Sequence, residues 1–153
     1  MIKTASEMAL DGLILQKFDE LTELLVGLDD ELANRSLPWK GSNSIVQILV
    51  HCCGMMRHWS SSVNLGNDIP RDRDTEFSAI MSVTEATQLA SDTRESYISD
   101  IKSTNMQSPP VRVPDGREHY WTVTCESVLF HVLEELSQHL GQAQVTRDAL
   151  IKR

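Results

Sequence analysis

Apolar side chains recur every three or four positions in four stretches of the chain, which is the spacing that places them on one face of an α-helix. The first stretch predicts a helix that runs to about Asp29, and the second predicts a helix from about Ser44 to Trp59. A thinner stretch predicts a third helix from about Thr84 to Ser103. The strongest begins near Thr122 or Thr124, and its apolar face consists of Val128, Leu129, Val132, Leu136, Leu140, Ala143 and Leu150.

Capping boxes mark the starts of the first three helices. In each box a Ser or Thr side chain accepts a hydrogen bond from a free backbone N–H, and a Glu or Gln three residues later binds the backbone of the capping residue. The pairs are Thr4 with Glu7, Ser44 with Gln47, and Ser82 with Glu85.

The connections between the predicted helices are long, especially before the last one. Pro and Gly residues between Asn105 and Tyr120 exclude a continuous helix there and predict a loop. No alternating pattern competes with the four helices. The sequence therefore predicts an all-α fold in which residues 1–153 form one four-helix-bundle domain with long connections.

Composition and charge exclude several classes of protein. A hydrophobic fraction of 41% and a charged fraction of 24% are typical of globular domains. A net charge of -8 argues against a nucleic-acid partner. No apolar run approaches the roughly 20 residues of a membrane span, and no secretory signal begins the chain. We therefore expect a cytoplasmic protein with no membrane partner. It is expected to be a monomer or a homodimer.

The three cysteines lack a CxxC pair, which indicates reduced thiols.

A polar strip on the last predicted helix carries the candidate chemistry. Glu135 and His139 lie one helical turn apart and point the same way, beside the apolar face. A carboxylate in that position is exposed, paired with a cation, or bound to a metal. His51 lies at the edge of the apolar face of the second helix and could complete a three-residue site. Two imidazoles and one carboxylate suit zinc and leave a position open for water or substrate.

Three further polar residues each have more than one candidate role. His131 could be a fourth ligand, a partner that orients Glu135, or a solvent-facing side chain, and Gln142 extends the same strip. Arg147 falls on the apolar side of the last helix, where it could contact an acidic group of a substrate or form an internal salt bridge. The charged run from Arg71 to Glu76 is interpreted as a solvated, self-paired loop.

Two stretches resemble a known superfamily. They are SIVQILVHCCGMMRHW, from Ser44 to Trp59, and VLFHVLEELSQHLGQAQVTRD, from Val128 to Asp148. Both resemble the DinB-like superfamily of metal-binding four-helix bundles, which has a histidine on the second helix and an H-x-x-x-H pair on the fourth. Glu135 replaces the first histidine of that pair, as in the branch that includes mycothiol-dependent maleylpyruvate isomerase. The resemblance implies that His51, Glu135 and His139 are the metal ligands.

The resemblance also implies a function. The leading hypothesis is a divalent-metal-dependent enzyme that uses a low-molecular-weight, mycothiol-like thiol for S-transfer to, or isomerisation of, an electrophilic small molecule. Zinc is the expected metal, with nickel or iron as alternatives. The other hypotheses are a metal-dependent hydrolase and a non-catalytic metal-binding stress protein. No catalytic residue follows from the sequence.

Overall fold

Four long helices and two single-turn helices make up the computed structural model, which describes residues 3–152. The long helices are α1 (Ala5–Glu23), α3 (Ile45–Arg57), α5 (Val83–Ser103) and α6 (Cys125–Ile151). The single turns are α2 (Asp30–Ala33) and α4 (Arg73–Glu76), and a π-helical turn, His58–Val63, continues α3. No strand occurs between residues 3 and 152, so the all-α prediction is confirmed.

The long helices form a bundle around one apolar core. Helices α1 and α3 each pack against both α5 and α6. The predicted apolar faces meet in the centre, where Ile14, Phe18, Ile48 and Leu136 are at most 1% exposed. Burial of each such side chain contributes roughly 1.5–3 kcal/mol to stability. The predicted apolar faces therefore form the core of the bundle.

The helix starts follow the sequence prediction closely, but one helix end does not. All three predicted capping boxes are present, and Thr124 caps α6 in a fourth box that uses Ser127 in place of Glu or Gln. Helix α1 ends at Glu23, not near Asp29 as predicted. Gly27 has a φ of 80°, which a helix cannot accommodate, and Asp29 caps the new helix α2. The apolar spacing continues through this break, so it does not indicate that the helix ends there.

Helix α4 corrects the interpretation of the charged run from Arg71 to Glu76 as a solvated loop. Glu76 is only 5% exposed, and its carboxylate accepts two hydrogen bonds from Arg71, each of 2.9 Å. The carboxylate packs against Gly54 of α3, where a Cβ atom would lie 2.0 Å from Glu76 Oε2. Gly54 therefore allows a buried acid to reach the face of α3.

The π-helical turn is fixed by a buried carboxylate on α5. Asp100 accepts a hydrogen bond of 2.6 Å from Arg57, and the hydroxyl groups of Ser60 and Ser61 lie 3.0 and 3.3 Å from its oxygens. The turn buries Trp59, which is 6% exposed. The hydrogen bonds to Asp100 of α5 thus hold the π-helical turn in place, and with it the indole of Trp59.

All three cysteines are buried and free. They pack as small apolar side chains, and their reduced state stays a prediction. Burial raises the pKa of Cys52 well above its ordinary value, raises that of Cys53 to about 12, and raises that of Cys125. No helix in residues 3–152 is long and apolar enough to cross a membrane.

The cysteines should resist alkylation until the protein unfolds, because the thiolate is the reactive form and burial suppresses it. We expect almost no modification by iodoacetamide at about pH 8 in native protein, and complete modification of all three cysteines in denaturant. Mass spectrometry of intact protein measures both. Rapid native labelling of Cys52 or Cys53 would contradict the packing described here.

Candidate metal centre

His51, Glu135 and His139 meet at the contact between α3 and α6. One nitrogen or oxygen of each lies within 4.8 Å of the others. Glu135 Oε2 is 3.6 Å from His139 Nε2 and 3.9 Å from His51 Nε2. The centroids of the two imidazole rings are 4.6 Å apart, and the ring planes meet at 70°. The structure therefore brings together the three side chains that the sequence analysis selected, and their role as metal ligands stays a prediction.

Helix packing explains this convergence. His51 follows the buried residues Ile48 and Leu49 on α3 and is itself only 2% exposed. On α6, Glu135 and His139 each precede a buried leucine by one position, so they flank the apolar face instead of joining it. When α3 and α6 bury their apolar faces against each other, these polar flanks are forced to share one space.

Hydrogen bonds on the far side of each imidazole direct one nitrogen toward Glu135. His51 Nδ1 lies 3.0 Å from Glu76 Oε1, and His139 Nδ1 lies 3.2 Å from Gln142 Oε1. Both oxygens accept only, so both Nδ1 atoms carry the proton that they donate. In neutral imidazoles this leaves the lone pair on Nε2, which is the arrangement commonly seen for metal-binding histidines.

The charges in the centre are tightly coupled. The imidazoles of His139 and His51, whose Nε2 atoms lie 3.6 and 3.9 Å from the Glu135 carboxylate, hold the pKa of this carboxyl well below its usual value, against the opposing effect of burial. The Glu135 carboxylate in turn raises the pKa of His139. A carboxylate that stays ionised beside two imidazoles is a negatively charged donor set with nitrogen and oxygen ligands. This set fits a divalent cation of the zinc type.

A cavity of about 470 Å³ opens beside the three residues. His51 and Glu135 form part of its lining, together with His131, Trp59 and His58. The cavity is large enough for a small organic molecule. It gives such a molecule access to one side of the candidate metal centre.

His131 and Gln142 lie where the sequence analysis placed them, next to the three residues. His131 Nε2 is 3.9 Å from Glu135 Oε1, and its ring stacks on Trp121 with 3.8 Å between centroids. Trp121 belongs to the loop before α6, so this loop packs against the site. His131 is therefore half-buried beside the carboxylate instead of facing solvent.

Arg147 has different partners from those expected. It donates to the backbone carbonyl oxygens of Leu24 and Val26, just after the end of α1. No carboxylate among the described residues pairs with it, and it does not line the cavity. Arg147 thus closes the end of α1, where carbonyl groups lack helical partners. A contact between Arg147 and a substrate stays a prediction that this geometry does not favour.

Sequence reasoning missed three residues that shape the centre. Glu76 binds His51 Nδ1, and Phe77 stacks on the His51 ring with 4.7 Å between centroids. His58 is the third, and it lines the cavity and is half-buried. The glycine at position 54 was the available signal for Glu76, because a glycine inside a helix often marks a close approach of other atoms.

The fold and the site together define a DinB-like helical bundle, which confirms the resemblance seen in the sequence. The model of the mycothiol-S-transferase family matches residues 9–151, and the chain therefore belongs to that family. A crystal structure of a conserved protein from Enterococcus faecalis is similar, with a TM-score of 0.60 and 19% identity, over 99% of this chain and 100% of that one. At this identity the likeness shows the fold alone. No curated protein matches the chain.

Substitution of Gly54 by Ala should weaken metal binding, because the new methyl group would displace Glu76 and with it the partner of His51. Loss of such a partner typically lowers metal affinity about 10–100-fold. Zinc affinity, measured by competition with a chromophoric chelator, tests this. Glu76→Gln should give a loss in the same range.

The matched control is Gly12→Ala, since a Cβ atom at Gly12 meets nothing within 4 Å. This variant adds the same methyl group to α1 and should leave zinc affinity unchanged. Circular dichroism verifies that each variant is folded. Equal affinity of Gly54→Ala and Gly12→Ala would show that Glu76 does not orient the ligand.

Metal binding should weaken in acid, with a direction set by His139. Its pKa is raised above 6.5, and the ion must displace the proton that His139 holds below that pKa. Apparent zinc affinity should therefore be highest above this raised pKa and fall as the pH decreases through it. Isothermal titration calorimetry in buffers of different ionisation enthalpy measures the affinity and the protons released. An affinity that is constant between about pH 8 and pH 6 would contradict the assignment of His139 as a ligand.

Proposed function

We propose that this protein is a divalent-metal-dependent S-transferase that joins a low-molecular-weight thiol to an electrophilic small molecule. The observation that carries the proposal is a three-residue nitrogen and oxygen donor set at the side of an accessible cavity. Membership of the mycothiol-S-transferase family supports a thiol as one reactant. Zinc is the metal that we propose, with nickel or iron as alternatives that the same donors accept.

The thiol must come from outside the chain. Cys52, Cys53 and Cys125 are buried, and burial raises the pKa of each, so none offers a thiolate to the cavity. A bound divalent ion would supply an open coordination position at which a thiol loses its proton at neutral pH. The chain's own residues then hold that reactant and exclude water.

His58 is the group that we propose as the proton acceptor. Burial lowers its pKa, and the positive charges of Arg71 and Arg117 lower it further, so His58 is neutral at pH 7. It lines the same cavity as His51 and Glu135. A neutral imidazole there can take the thiol proton while the sulfur forms a bond to the electrophilic carbon. The leaving group departs with the electron pair of the broken bond, which balances the reaction.

Glu135 and Trp59 have positioning roles in this proposal. Glu135 stays ionised and contributes the one negative charge of the donor set, which keeps the site selective for cations. The indole of Trp59 forms an apolar wall of the cavity, next to His131. An apolar wall removes water from the reacting sulfur and strengthens the electrostatic effects in the centre. An isomerisation would use the same groups, with addition of the thiol followed by its elimination.

The test couples metal content to thiol transfer in untagged protein. We expect about one equivalent of metal by elemental analysis, and conjugation of 1-chloro-2,4-dinitrobenzene to one of the thiols mycothiol, bacillithiol and glutathione. His51→Ala and His139→Ala should each lose the metal and lower the conjugation rate at least about 100-fold. His119→Ala is the matched control, because His119 is an exposed loop histidine that does not line the cavity. It should retain both metal and activity.

Two results would overturn the proposal. One is wild-type protein without stoichiometric metal, with a conjugation rate that His51→Ala does not change. The other is turnover of an ester or amide substrate in the absence of any thiol, which would assign the centre to hydrolysis.

A further inference from the structure

The cavity beside the candidate metal centre concentrates positive charge in an acidic protein. The chain has 14 Lys and Arg residues against 22 Asp and Glu residues. Four arginines nevertheless line this one cavity: Arg71, Arg73, Arg112 and Arg117. The carboxylates in the same lining are those of Asp68 and Glu135. The local balance of charge is thus opposite to that of the whole molecule.

Three of these arginines have no carboxylate partner. Arg71 is neutralised by Glu76, but Arg73, Arg112 and Arg117 form no ion pair within 4.0 Å among residues 3–152. Elsewhere in the bundle, Arg57 pairs with Asp100 and Arg94 pairs with Asp19. Unpaired guanidinium groups around one opening are available for a ligand.

Arg112 is held in place by the end of the π-helical turn. Its backbone N–H donates to the carbonyl oxygen of Val63 at 2.9 Å, and its Nη2 atom donates to the carbonyl oxygen of Gly66 at 3.3 Å. These bonds fix the loop before α6 to the wall of the cavity. Arg112 is an exposed side chain whose guanidinium is held by the hydrogen bond to Gly66, which lowers the entropic cost of binding an anion.

We propose that the cavity binds a small organic molecule that carries a carboxylate, with the carboxylate against Arg112 and Arg117. Guanidinium groups bind carboxylates through paired, charge-assisted hydrogen bonds. The remainder of the ligand lies against Trp59 and Met55, and its reactive end faces Glu135. A cavity of about 470 Å³ fits a small molecule. The overall charge of -8 disfavours a polyanion such as a nucleic acid.

This inference rests on the proposed function in one respect, since the carboxylate belongs to one of the two reactants of the transfer. The carboxylate can be part of the electrophile or part of the thiol. Mycothiol carries no carboxylate, whereas glutathione and bacillithiol do. The arginines therefore select either an acidic acceptor or an acidic thiol.

Matched acid and ester probes test the inference by binding alone. The first pair is 3,5-dinitrobenzoate and its methyl ester, which resemble an electrophilic acceptor but have no leaving group. The second pair is S-methylglutathione and its diethyl ester, which cannot react as thiols. Affinities are measured with the metal-loaded protein by titration calorimetry, and quenching of tryptophan fluorescence gives a second measurement of binding.

We expect the acid of at least one pair to bind about tenfold or more tightly than its ester, with a preference that decreases as salt is added. The variant with both Arg112→Gln and Arg117→Gln should lose this preference and bind the ester as the wild type does. Lys102→Gln is the control, because Lys102 is an exposed cation at the end of α5, away from the cavity. It should keep the preference. The pair that responds identifies the reactant that carries the carboxylate.

Equal binding of acid and ester in both pairs would overturn the inference. So would a preference that survives in the double arginine variant, because groups other than Arg112 and Arg117 would then bind the anion. Neither measurement requires turnover. Absence of transferase activity would therefore overturn the proposed function and leave this inference standing.

Discussion

The whole arrangement depends on the need of one buried imidazole for partners on both of its sides. His51 is almost completely enclosed between α3 and α6, and neither of its nitrogens can rely on water. Glu76 satisfies Nδ1, and the space in front of Nε2 is shared with Glu135 and His139. Helix α4, in the connection after α3, thus supplies the acceptor that orients this ring. Nε2, on the other side of the ring, is then available to bind a ligand.

The sequence predicted the elements that follow from local periodicity and capping. Helices α3, α5 and α6 appear where their apolar spacing and their Ser or Thr caps indicated. The meeting of His51, Glu135 and His139 was predictable for the same reason, since each lies at the edge of an apolar face and two are one turn apart. Where the rotation of a helix fixes the direction of a side chain, the pattern of polar and apolar residues is enough to predict which side chains meet.

The remainder of the site lies in the connections between helices. The paths of these connections cannot be predicted from the spacing of apolar residues. The acid at position 76 looked like part of an exposed charged run, and only the approach of α4 to Gly54 shows that it is buried. The cluster of arginines was also hidden, because Arg71 and Arg117 belong to two connections that are far apart in the chain. A negative net charge gave no indication that these loops would place positive charge around one opening.

Glu76 has a further consequence, which concerns how such a protein can change during evolution. The connection between α3 and α5 supplies Glu76, whereas the connection between α5 and α6 supplies Arg112 and Arg117. Mutation of Glu76 would alter how firmly the imidazole is held, and mutation of Arg112 or Arg117 would alter which molecules are admitted. These positions can therefore be varied separately to adjust reactivity and ligand choice, while the helices and the three converging side chains stay the same.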